Sequence, residues 1–171
     1  RHAGRIHDIE SIEEFVTTRS AFIAQKTLYG YVKTRMGTKY PEMFRDDNII
    51  GSVNIAKMHV FDACLSDLCI WAVARAFEHD PMADSERAQI ALSIFKNGLR
   101  ANLDDSVDAF DPDDAVRNFE VRLTGVDWHG IAQTRDVFRE SPSRVVKWAP
   151  IADELKKYDV DAFHYADYPH K

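Results

Sequence analysis

The sequence predicts an all-α protein, a single-domain bundle of about five or six helices around a buried central helix. Three observations predict it. The 171 residues are 45% hydrophobic and 11% aromatic, which suits one globular core. Residues 52–79 carry apolar side chains on nearly every side of a helical wheel. The rest of the chain is punctuated by helix-capping residues, glycines and prolines at helical intervals.

The first helix is expected to start at the capping box Ser11-Ile12-Glu13-Glu14, where the Ser hydroxyl and the Glu carboxylate each satisfy a free backbone N–H. Phe15, Phe22, Tyr29 and Met36 recur every seven residues beside Val16, Ile23 and Gly30. That spacing makes them the stripe that faces a partner helix. Gly30 lies in the interior at a cost of about 1 kcal/mol against Ala, which close approach of a neighbouring helix would offset. Gly37, with Pro41 beyond it, is the stop.

Residues 40–51 read as a connection in which Met43 and Phe44 tuck under while Arg45, Asp46 and Asp47 face water. The central helix follows and Pro81 lies past its end. A third helix from Asp84 or Ser85 carries Ala88, Ala91, Leu92, Phe95 and Leu99 on one side. The aspartates from Asp104 to Asp114 crowd around Pro112, so residues 102–114 form a solvated connection, a possible internal boundary, ending in an N-cap at Asp113 or Asp114.

Residues 115–123 fit a helix through Ala115, Val116, Phe119 and Leu123, although Phe119, Val121 and Leu123 also alternate as in a strand. The preceding cap and Thr124-Gly125 favour the helix. Asp127 is positioned to cap a helix with Trp128, Ile131, Arg135 and Phe138 inward, and Pro142 and Pro150 each to open a further short one. The tail 159–171, with Phe163, Tyr165 and Tyr168, is a strap, a docking segment or a frayed end.

A net charge of −6 argues against a nucleic-acid footprint. Residues 60–77 are the only stretch with the length of a membrane span, and Asp62, Asp67 and Arg75 interrupt it at about 2.5 to 3.5 kcal/mol each. Cys64 and Cys69 lie about 140° apart on a helix and so cannot pair within it. As two apolar-context thiols they favour a cytoplasmic or otherwise reducing compartment. The sequence begins at Arg1, so a targeting signal upstream would not be visible in it.

His59, Asp62 and Ser66 share one side of the central helix and are the residue types of a hydrolytic triad. Their order argues against that chemistry: Asp62 is in the middle, and His59 and Ser66 stand about 10 Å apart along the axis. A hydrogen bond between His59 and Asp62 within a polar stripe is the plainer reading. A metal role is not expected, since the E-x-x-H repeat of di-iron bundles is missing, and the aspartates 104–114 lack the glycine and closing Glu of an EF-hand. No cofactor is implied.

Asp67, Trp71 and Arg75 form a second stripe, with Asp67 and Arg75 too far apart to pair, so each needs a partner from elsewhere. Lys33 and Arg35 of the first helix are the candidates for Asp62 or Asp67. With Tyr29 and the stripe Asp67, Trp71 and Arg75 they are also the candidate ligand-binding residues of a pocket between the first two helices. Arg135, Arg139, Arg144 and Lys147, near Trp128 and Trp148, form the one locally basic patch, a candidate surface for an acidic protein or an anion.

The run Thr27-Leu28-Tyr29-Gly30-Tyr31-Val32-Lys33-Thr34-Arg35 through Tyr40-Pro41, with Trp148-Ala149-Pro150, resembles a group of small helical proteins of uncharacterised function from alphaproteobacteria. The resemblance spans most of the chain and implies a helical fold. Some members carry an esterase label, but no G-x-S-x-G elbow occurs here to support it. The sequence therefore points first to a non-enzymatic helical subunit that binds a protein partner or its own copies. A small hydrolase or ligand-binding protein is the alternative.

Overall fold

A computed structural model describes residues 8–104, 106–134 and 137–150. Among them the chain forms six α-helices and no strand. In order these are α1 (Ile9–Met36), α2 (Asp47–Ala76), α3 (Asp84–Asn102), α4 (Pro112–Leu123), α5 (Trp128–Gln133) and α6 (Glu140–Trp148), with a 3₁₀ segment, Gly37–Arg45, joining the first two. The anticipated helix at Pro150 and the tail 159–171 lie outside the described residues.

The central helix is the axis of the bundle. Every residue of α2 from Val60 to Ile70 is buried, and α1, α3, α4, α5 and α6 all pack against it. It begins five residues earlier than its apolar pattern suggests, because the Asp46 carboxylate accepts from the N–H groups of Asn48 (2.9 Å) and Ile49 (3.4 Å) and so caps it there. The connection that precedes it is correspondingly shorter. Met43 is buried as anticipated, but Phe44 is 54% exposed, since successive side chains of the 3₁₀ turn diverge.

Asp8, not Ser11, caps α1, accepting from Glu10 N at 3.1 Å. Gly37 ends the helix with φ 55°, a conformation that favours glycine. The face that α1 turns inward is Ile12, Val16, Ser20, Ala24, Leu28 and Val32, a step of four residues. The first half of the seven-residue row is thereby turned away from the core, with Phe15 36% and Phe22 55% exposed, while Tyr29 and Met36 are half-buried against it. A four-residue step drifts around a helix in the opposite sense to a seven-residue one, so the two rows stand on opposite sides at Phe22 and come together toward Met36.

Gly30 is not a crossing point, for a Cβ there would meet nothing within 4 Å. The close approach is at Gly98 of α3, where a Cβ would fall 2.8 Å from Thr17 Oγ1 of α1 and 3.0 Å from Leu65 Cδ1 of α2. Three helices converge on that one missing side chain. Phe95, one turn earlier on α3, stacks on Phe119 of α4 with ring centroids 4.2 Å apart.

Arg87 closes the turn between α2 and α3. Its guanidinium donates to the carbonyls of Phe77 (2.9 Å) and Asp80 (3.0 Å) and to that of Met82, satisfying acceptors left over beyond the end of α2. Residues 115–123 are helical, with Asp111 as the cap, accepting from the N–H groups of Asp113 (2.9 Å) and Asp114 (3.2 Å). The cap falls there, ahead of Asp113 and Asp114, because Pro112 takes the first helical position. Asp127 caps α5, which ends at Gln133, before Phe138.

Candidate functional site

A cleft of about 320 Å³ opens on the side of α2 that faces α4 and α6. Its polar lining is Asp62, Ser66, Asn118, Arg122, Glu140 and Arg144, over a floor of Ala63, Ala115 and Phe119. The cleft exists because α2 puts three polar side chains, Asp62, Ser66 and Asp67, on a face that is otherwise core, and α4 and α6 each bring an arginine to them.

Asp67 is wholly inaccessible to solvent. Ser141, at the start of α6, donates to its Oδ2 through both backbone N–H (3.0 Å) and hydroxyl (2.9 Å). Arg122, in the last turn of α4, places Nη1 2.8 Å from Oδ1, an ion-pair contact without hydrogen-bond alignment. The same nitrogen donates to Ser66 Oγ at 2.6 Å, and Nη2 donates to the carbonyl of Val137 at 2.8 Å. One guanidinium thus ties α4, α2 and the chain leading into α6. Burial raises the Asp67 carboxyl above its ordinary range, opposed by Arg122 and the Ser141 bonds.

Asp62, one turn earlier on α2, pairs with Arg144 of α6 at 3.2 Å. Burial pushes its carboxyl up to about 6, against the pull of the Arg144 charge. Asp62 and Asp67 thus take their partners from α4 and α6, not from Lys33 and Arg35, which are exposed at the end of α1. The cleft likewise lies away from the α1 side of α2 where a pocket with Tyr29 was expected; Tyr29 is half-buried against the core.

The three triad residue types are not brought together. His59 stacks flat on Trp148 with ring centroids 3.6 Å apart, meets Phe110 edge-on at 5.2 Å, and sets Nε2 3.4 Å from the Ala109 carbonyl. It does not bond Asp62, and burial lowers its basicity. Ser66 is held as an acceptor by Arg122. Among the described residues that hydroxyl makes no hydrogen bond to a base that would activate it.

The second stripe is equally occupied. Trp71 packs on Phe138 with centroids 6.2 Å apart, and Arg75 donates to the Ala132 carbonyl of α5 at 2.7 Å and to Glu78 at 3.1 Å. The basic patch is divided for the same reason: Trp128 is buried, Trp148 lies on His59, and Arg144 turns inward to Asp62. Arg139 is exposed, and Arg135 lies outside the described residues.

Arg122 and Ser141 are members of this site that the sequence reading missed. The signal that was available is the two buried α2 carboxylates, each of which requires a cation from another element. Cys64 and Cys69 are free and buried, with burial holding the Cys64 thiol up to about 12 and Cys69 well above its ordinary value. They are inert core residues in the folded protein. Among the described residues no helix is long and apolar enough to cross a membrane.

A second surface stands apart from the cleft. Phe15 and Phe22, with Ser11, Glu14, Thr18 and Arg19, line a shallow groove of about 480 Å³ on the outer side of α1, and Ile23 beside it is 38% exposed. Arg19 lies over the Phe15 ring and Lys26 over the Phe22 ring, each 5.9 Å from the centroid. No family model matches the chain, and no curated protein or solved structure matches it.

Proposed function

We propose that the chain is a non-enzymatic helical subunit that works by binding a protein partner or joining an assembly, through the outer face of α1. The observation that carries this reading is the row Phe15 and Phe22, aligned and exposed on a helix whose core contacts are already met by a different row. Two aromatic rings one heptad apart are the kind of anchor that interfaces bury. The polar side chains of the cleft, by contrast, are engaged with one another, which suits a register-fixing role for Asp67–Arg122 and Asp62–Arg144.

The test compares wild type with a Phe15→Glu/Phe22→Glu double variant by light scattering and by capture from the native extract. The wild type is expected in a species heavier than its 19.6 kDa chain, or with a partner that the double variant loses. A strictly monomeric wild type that captures nothing beyond what the variant captures would overturn the proposal.

The alternative is a small hydrolase or ligand-binding protein acting in the cleft. What favours it is Asp62, whose carboxyl is held near 6 at the edge of solvent, where a general base is useful. A panel of simple esters assayed with wild type, His59→Ala and Asp62→Ala decides it. Equal background rates for all three would end that chemistry.

A further inference from the structure

Resting on the interface reading above, we infer that the outer face of α1 takes an acidic amphipathic helix of another protein, with its apolar seam on Phe15 and Phe22 and a row of carboxylates along Arg19, Lys26 and Lys33. The argument is a unit that the sequence repeats. Three times, seven residues apart, an aromatic residue is followed four places on by a cation: Phe15 and Arg19, Phe22 and Lys26, Tyr29 and Lys33. A four-residue step turns about 40° around a helix, so the cations make one flank beside the rings along the whole face. All three cations are exposed, and the opposite flank, Ser11, Thr18 and Gln25, is exposed and uncharged.

The cation row has no counterion in its own fold. The positions three and four residues before and after Arg19, Lys26 and Lys33 hold no carboxylate, and among the described residues none of the three joins an ion pair. The acids of α1, Glu10, Glu13 and Glu14, all precede Phe15. Arg19 and Lys26 instead lie over the Phe15 and Phe22 rings. A partner that sets carboxylates along this flank therefore meets charges that the chain leaves uncompensated, and it covers the rings and the aliphatic stems in the same contact.

The spacing selects a helix as the occupant. Rows that repeat every seven residues stay in line along a second helix wound to the same repeat, and from Phe15 to Lys33 the seam runs about 27 Å, about three heptads of partner. A second copy of α1 fits it poorly. Docked antiparallel it sets the cation row against the same row of its twin, and docked parallel it brings Glu14 to Arg19 but offers Lys26 and Lys33 only Ala21 and Leu28. A bilayer fits it poorly as well, since the chain's net charge of −6 opposes an anionic surface and the exposed strip of Phe15 and Phe22 is one ring wide.

The test titrates the full chain with two synthetic peptides of three heptads, each with leucine along its seam and either glutamate or lysine on both flanks, followed by fluorescence anisotropy. Like charges keep each peptide from pairing with itself. Wild type is expected to bind the glutamate peptide at least tenfold more tightly than the lysine peptide, and less tightly as salt rises. The Arg19→Glu/Lys26→Glu variant, both positions exposed, is expected to reverse that preference, a gain of binding that a misfolded chain would not show. Phe22→Glu is expected to lose both peptides.

Equal binding of the two peptides by wild type, or a charge-reversed variant that keeps the wild-type preference, would overturn the inference. Binding of neither peptide, alongside a protein captured from the native extract through Phe15 and Phe22 or a wild-type dimer in sedimentation velocity that Phe22→Glu dissolves, overturns the acidic helix and leaves the interface reading intact. Binding to phosphatidylglycerol vesicles and to neither peptide puts a bilayer on the face and overturns both. So does a monomer that binds nothing.

Discussion

Replacing Asp62 by asparagine is predicted to change how stability depends on pH, in a direction that the geometry fixes. The carboxyl ionises near its ordinary value of 3.8 in the unfolded chain and near 6 in the fold, because burial outweighs the neighbouring Arg144. Below both values the group is protonated in either state and contributes no pH dependence. Between them the folded protein retains a proton that the unfolded chain has released, so stability falls as pH rises. At about 1.4 kcal/mol per pH unit, this interval amounts to about 3 kcal/mol. Above pH 6 the cost is constant. The amide of the Asp62→Asn variant does not titrate, so the variant should gain on wild type by about that amount between pH 4 and pH 7. Urea unfolding of both proteins at half-unit pH intervals measures the difference, and subtraction removes every other titrating group. A difference that is flat across the range would refute the assigned burial of Asp62, and one that runs the opposite way would mean that Arg144 dominates it.

The two glycines should respond in opposite senses to alanine. Gly98→Ala is expected to destabilise by about 1 to 3 kcal/mol, since its Cβ meets Thr17 and Leu65, whereas Gly30→Ala should stabilise by about 0.5 to 1 kcal/mol at a site with open space; thermal or chemical unfolding decides both. Arg122→Ala leaves Asp67 buried with only Ser141 and should cost about 3 to 5 kcal/mol, measured in the same way, with the additional loss of protection of α6 amides in hydrogen exchange. Cys64 and Cys69 should resist a thiol reagent until global unfolding, so a reaction rate that exceeds the unfolding rate would contradict their burial.

The all-α architecture and the central helix were legible because a segment apolar on every side has no solvent face to spare, and α2 meets that description from Val60 to Ile70. The glycine stop at Gly37 and the Asp127 cap were legible for the same local reasons. The inward face of α1 was not. Its seven-residue aromatic row is the stronger pattern, yet the helix buries the quieter row of Ile12, Val16, Ala24, Leu28 and Val32, whose small and branched side chains let α2 approach. Strength of pattern does not say which row meets the core. Gly30 and Gly98 show the same gap, since only the crossing of three helices distinguishes a glycine that is needed from one that is not. At the cleft, the need of Asp62 and Asp67 for cations followed from their burial, but which arginines supply them depends on the placement of α4 and α6, which no local signal encodes.

The account of function rests on the outer row of α1 being a surface that the working protein covers. The most direct measurement is the mass of the purified chain against concentration together with capture from the native extract, with the Phe22→Glu variant run in parallel. The prediction is a wild type found in a species heavier than one chain, or with a captured partner, while the variant stays at one chain mass and captures none. A wild type that remains at a single chain mass and captures nothing beyond what the variant captures would contradict it.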